Sequence, residues 1–121
     1  SGTAKINALS EIEFGAASSN NVQFINSLVG SSTQGGTLTL DDPAHFTGKI
    51  SGWVAGVDHI DLANILYNPN ENKSYAGGVL TLSHVTGGSS VTDATIKITG
   101  TNLTSGSFAL ADDGTGHMLI K

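Results

Sequence analysis

Three short acidic stretches carry the side chains that could hold a hard cation: Asp41 and Asp42, Asp58 and Asp61, and Asp112 and Asp113. Calcium takes about six to eight oxygen ligands from carboxylates and carbonyls held on loops. Asp112-Asp113-Gly114-Thr115-Gly116 suits it best, because two adjacent carboxylates and the carbonyls of a Gly-rich turn can converge on one ion. The same aspartates also cap turns with no ion present, by accepting from the backbone two residues on. Four histidines, His45, His59, His84 and His117, raise transition-metal chemistry, copper included. None is spaced as His-x-His or His-x-x-x-His, so the fold would have to gather them. His45 and His59 flank one strand, and with Asp58 they would offer two nitrogens and one oxygen. The plainer role for each is a polar surface histidine.

Aromatic rings suggest a different ligand. Trp53, Tyr67 and Tyr75 could stack on the flat face of a sugar, since Trp and Tyr present an apolar face with a polar handle. Asn68, Asn70 and Asn72 lie in the loop between the two tyrosines and could read sugar hydroxyls. Trp53 ends an alternating strand, where burial as a core anchor competes with exposure. Enzyme signatures are poor. There is no Gly-x-Ser-x-Gly elbow, and the Gly-rich stretches lack the Lys that a phosphate loop carries at its end. Glu11, Glu13 and Glu71 are the carboxyls available for glycoside hydrolysis, but Glu11 and Glu13 fall on an outward strand face with nothing to raise a pKa.

The elements that must position these residues are strands. Thr37 to Leu40, Phe46 to Trp53 and His59 to Ile65 alternate bulky apolar with polar or small residues, the period of a half-buried strand. Ile12 and Phe14 alternate with Glu11 and Glu13, and Val22 and Phe24 continue the pattern. Val79 to Leu82, Thr95 to Thr99, Phe108 to Ala111 and Met118 to Ile120 are four more short strands. Asp41-Asp42-Pro43, residues 54–58, Asn68-Pro69-Asn70 and Asp112 to Gly116 supply turns, the last a hairpin by residue type. Gly30 to Gly36 reads as a flexible link. No stretch holds the i, i+3, i+4, i+7 spacing of an amphipathic helix. The expectation is an all-β domain over residues 1–121, most simply an antiparallel, jelly-roll-like β-sandwich. The alternative is a short β-solenoid with an antiparallel C-terminal cap. Gly-x-Leu-Thr-Leu begins at Gly36 and again at Gly78, which fits either two rungs of a coil or two equivalent sandwich strands.

Composition bounds the partners. With 121 residues and 38% hydrophobic content, one domain can bury a core without staples. Cys is absent, which removes disulfides, thiol nucleophiles and thiolate metal sites. The five cationic residues are all Lys against ten acidic ones, a net charge of −5, which argues against nucleic acid and anionic membranes. No apolar run approaches the ~20 residues that cross a bilayer, so no membrane insertion is expected. Charged residues are only 12% of the chain, so hydroxyls and amides must build the solvent face. Many short strands under so few charges make an oligomer through strand edges an open expectation.

Phe46-Thr-Gly-Lys-Ile-Ser-Gly-Trp53 followed by Asp58-His-Ile-Asp-Leu62, with Gly35 to His45 and Ile12 to Phe24 before them, resembles the β-strand repeat modules of large secreted proteobacterial, rhizobial-type proteins of hemolysin-like, autotransporter-like and adhesin character. Phe108, Leu110, Asp113, Gly114, Gly116, Leu119 and Ile120 match the usual ending of that family, while His117 stands where it carries Gly. The tandem Gly-Gly-x-Gly-x-Asp of calcium-binding hemolysin repeats does not occur. The resemblance implies a secreted or cell-surface, non-catalytic module, and polysaccharide or glycan is the expected partner. The alternatives are a structural spacer or adhesion repeat stabilised by calcium, and a small copper-dependent enzyme acting on polysaccharide.

Overall fold

Alternation of apolar and polar side chains becomes strand along most of the chain. The computed structural model describes residues 3–100 and 102–121, and at Val29 the backbone alone. The strands are β1 (Thr3–Asn7), β2 (Glu11–Phe14), β3 (Asn21–Ile25), β4 (Ser27–Val29), β5 (Ser32–Gln34), β6 (Thr37–Leu40), β7 (Lys49–Ser51), β8 (His59–Leu66), β9 (Asn72–Ala76), β10 (Val79–Thr86), β11 (Ser89–Ile98), β12 (Leu110–Asp112) and β13 (His117–Ile120). Two 3₁₀ turns, Pro43–His45 and Ser105–Ser107, are the only helical pieces among the described residues, and none is long and apolar enough to cross a membrane. The protein is all-β.

Two sheets enclose one hydrophobic cluster. Sheet A has the order β1-β3-β7-β11-β10-β9, and sheet B the order β12-β13-β8-β6-β2. From β1 to β8 the chain crosses repeatedly from one sheet to the other. Each return lies parallel to the strand before it: β3 on β1 and β7 on β3 in sheet A, β6 on β2 and β8 on β6 in sheet B. Apolar ladders run along this coil. Ile12, Leu38 and Ile60 stand in register, as do Phe14, Leu40 and Leu62, and on the other sheet Val22, Ile50 and Ile98. Afterwards β11 still lies parallel to β7, and every other new pair is antiparallel. β10 pairs antiparallel with β9 and β11, and β13 with β8 and β12.

The expectation of antiparallel pairing throughout is therefore corrected: it holds for β9–β10–β11 and for β12–β13–β8, with the β12–β13 hairpin at Asp112 to Gly116, and fails along the coil and where β11 lies parallel to β7. Alternation with period two reports which face a residue takes, and is blind to the direction of the neighbouring strand. The two Gly-x-Leu-Thr-Leu phrases lie in β6 and β10, on opposite sheets, and each turns its two Leu into the shared core. They are facing strands and not successive rungs. The Gly30 to Gly36 link is also more ordered than its composition suggests, because β4 and β5 pair as a hairpin within residues 27–34.

Candidate functional site

Leu80 and Leu82 are fully buried on the inner face of β10, and continuing that alternation by two residues brings His84 to the same face. Its neighbours in sheet A follow the same rows. Leu80 pairs with Tyr75 on β9 and Ile96 on β11, and Leu82 pairs with Lys73 and Ala94. Asn72 pairs with Ser83, so the next step of the register sets Glu71 opposite His84. On β11 the register slips: Leu82 faces Ala94, yet Ser83 faces Thr92, which leaves Asp93 as the extra residue of a β-bulge. A bulge lets two successive side chains share one face, and Asp93 thereby joins the inward row that Ala94 continues. The apolar rows end in a row of three polar groups: Glu71, His84 and Asp93.

One donor atom from each of these three lies within 4.8 Å of the other two. His84 Nδ1 is 2.7 Å from Asp93 Oδ2. They form the floor of a cleft of about 350 Å³, walled by Asn64, Ile65 and Leu66 at the end of β8 and by Tyr67 and Asn68 just beyond it. Burial, then a hydrogen bond to Asp93 and that group's charge, push the Glu71 carboxyl up to about 7. Burial pushes Asp93 up too, but hydrogen bonds from Glu71 and His84 outweigh it and hold its carboxyl below the ordinary range. The same bond to Asp93 raises His84. Asp93 thus sits against His84 Nδ1, while Glu71 Oε2 is buried without a hydrogen-bond partner.

The residues singled out from sequence disperse. Trp53 is corrected as a sugar platform: it is 3% exposed, stacks on Phe108 at 5.4 Å, meets Phe24 edge-on and donates Nε1–H to the Ser107 carbonyl. Tyr75 is half-buried, tilts against Phe108 and donates its hydroxyl to the Ile98 carbonyl. Tyr67 and Asn68 do line the cleft. Asn68 also caps its own turn, accepting from the backbone N–H of Asn70 at 2.9 Å. Asn70 and Asn72 are exposed, and neither lines the cleft.

His45, His59 and Asp58 are not brought together, which corrects that constellation. His45 is paired with Asp42 at 2.9 Å on the surface, beside the Pro43–His45 turn. Asp58 is inaccessible to solvent and accepts from Asn26 Nδ2, Gly36 N and Val54 N, with burial raising its carboxyl. Asp112 and Asp113 cap their hairpin. Asp112 Oδ1 accepts from Gly114 N and Gly116 N, and Asp113 Oδ1 from the Thr115 hydroxyl and amide and from His117 N. Those bonds, the Thr115 hydroxyl first, hold Asp113 well below the usual carboxylate range. Asp61 lies beside it and is raised to about 6 by burial and by its hydrogen bond to Asp113. Asp41 faces Glu13, and its hydrogen bond and charge raise the Glu13 carboxyl, against the expectation that nothing perturbs that group. Among the described residues, no three-membered set of potential metal ligands forms other than Glu71, His84 and Asp93.

Asp93 is not legible as a site residue in the sequence, because its place depends on the bulge. His84 is legible there: Leu80, Leu82 and His84 alternate without a break, and Gly87-Gly88 closes the hairpin that returns β11 to it. Comparison of the chain with protein-family models, with curated proteins and with solved structures returns no match.

Proposed function

We propose that this chain is a non-catalytic module of a secreted or cell-surface bacterial protein and that it binds polysaccharide or glycan in the cleft between the end of β8 and strands β9 to β11. One observation carries the reading: the cleft is lined by Tyr67, half-buried and packed against the core, together with the polar residues Asn64, Asn68, Glu71, His84 and Asp93. An apolar ring face next to convergent amides, carboxyls and an imidazole is the pairing that sugar rings require, with the ring for the C–H face and the polar groups for hydroxyls. The low charge and the resemblance to repeat modules of secreted proteins support the setting. Catalysis is the weaker use of the same groups. Glu71 and Asp93 flank His84 on one face of a single sheet, whereas retaining glycosidases hold their two carboxyls about 5 Å apart on either side of the bond they cleave.

Affinity electrophoresis through gels cast with a panel of plant, bacterial and algal polysaccharides tests the reading. Retardation by at least one polymer is expected, and Tyr67→Ala should weaken it at least tenfold, while Asn70→Ala, outside the cleft, should leave it unchanged. Mobility unchanged across the panel overturns it. The spacer reading has its own support, since Trp53 and Tyr75 are engaged with the core. It predicts no retardation by any polymer.

A further inference from the structure

The row Glu71, His84 and Asp93 is built in the way a coordination site is built. His84 is held in β10 by its pairing with Val91, Asp93 is the bulge residue of β11, turned toward it, and Glu71 stands one residue before β9, its N–H bonded to the Asn68 carbonyl at 3.0 Å. Their donor atoms lie within 4.8 Å of one another. Two ligands on a tetrahedral ion at the usual metal–nitrogen and metal–oxygen lengths stand about 3.4 Å apart, so an ion could enter by parting His84 and Asp93 from their 2.7 Å hydrogen bond by under an ångström. A second observation points to a ligand: Glu71 Oε2 is buried with no partner of its own. The fourth side of the row opens on the cleft.

We propose that Glu71, His84 and Asp93 form a binding site for a divalent first-row transition ion of the zinc class. The donor set decides the class. One imidazole and two carboxylates suit a four-coordinate, borderline ion with one position left for water or a ligand hydroxyl. Calcium asks for six or more oxygens (about six to eight) and gains little from imidazole. The inference is independent of the glycan reading, because the ion is held by the protein alone.

The test is calorimetric titration of chelator-treated protein with Zn²⁺ near neutral pH and without sugar, alongside the visible spectrum of the Co²⁺ form. One ion per chain, an intense tetrahedral cobalt band and a raised melting midpoint are expected, with Ca²⁺ giving none of these. His84→Ala should lower the Zn²⁺ affinity at least a hundredfold, and Asp93→Asn and Glu71→Gln at least tenfold each. His45→Ala and His59→Ala should leave it unchanged. Circular dichroism checks that each variant folds, and Glu71→Gln, which keeps the shape of the side chain, remains decisive if His84→Ala does not. The proposal is overturned if no stoichiometric Zn²⁺ is bound, or if folded Glu71→Gln and Asp93→Asn bind as the parent does. Loss of ion binding with polysaccharide retardation intact would sink this inference alone. Ion binding without retardation would sink the glycan reading alone.

Discussion

Asp58 occupies a corner of the coil where both carboxylate oxygens are used: Oδ2 accepts from Asn26 Nδ2 and Val54 N, and Oδ1 from Gly36 N. Removing the acceptor leaves the buried Gly36 N–H and the half-buried Val54 N–H without this partner, while Asn26 Nδ2 keeps the Gly52 carbonyl. Asp58→Ala should therefore cost about 2 to 4 kcal/mol, and Asp58→Asn a substantial part of that, because its amide NH₂ must face an N–H. Urea melts of the two variants check this, and a loss under about half a kcal/mol for Asp58→Ala would refute the role. A second prediction concerns pH. Glu71 and Asp61 are raised to about 7 and about 6, and His84 is raised as well. A raised group holds its proton more tightly folded than unfolded, so its stabilisation is complete below the unfolded pKa and lost as pH rises through the folded one. Asp113 is lowered and works in the opposite sense, losing its contribution in acid. The urea midpoint should thus be highest near pH 5 and fall toward about pH 8. Glu71→Gln should flatten that fall, and a midpoint that rises from pH 5 to pH 8 would contradict the assignment. Of these residues, the sequence places Asp58 in a turn by type, but its burial depends on Asn26 and Gly36, distant in the chain and invisible to local pattern.

β7 shows how an element is trimmed by its neighbours. Phe46 to Trp53 alternates over its whole length, yet only Lys49–Ser51 is strand. Gly48 and Gly52 bound it, and a Cβ at either would overlap a carbonyl oxygen of the adjoining rung, that of Asn20 or of Phe24. Gly52 also has φ +76°, which L side chains rarely adopt. Gly52→Ala should cost about 2 to 3 kcal/mol. Gly56, at φ +77° with open space around it, supplies the control: Gly56→Ala carries only the backbone penalty, about 1 kcal/mol. Thermal melts of the pair separate strain from collision, and equal losses would remove the close-approach argument. At this scale the sequence locates most strands to within a few residues. It does not show the N-terminal part of β11, since Ser89 to Thr92 are all exposed and offer no alternation, and residues 72–76 read as loop because β9 buries little beyond Tyr75.

Taken whole, the molecule joins a parallel coil to an antiparallel lid around one core, and period-two patterning alone cannot tell these halves apart. Nor can it assemble the polar row, which needs three strands and one bulge; of the cleft, only Tyr67, Asn68, Glu71 and His84 stand out in the sequence, for separate reasons. Each sheet ends on a strand that bears charge: Lys5 on β1, Lys73 on β9, Glu11 and Glu13 on β2, and Asp112 on β12. Charged edges resist pairing between copies, so the chain should run as a monomer at tens of micromolar in light scattering. Glu11→Thr with Glu13→Thr should promote association, and a parent already dimeric would refute the protective role. The two ends of the coil are not equivalent. At one, hairpins turn the chain back across the last rung. At the other, β1 and β2 each pair on one side only, both still pointing along the winding direction. In the language of polymer growth the fold has one terminated end and one living end: β1 and β2 each keep an open side, whereas β7 is closed by β11 and β8 by β13.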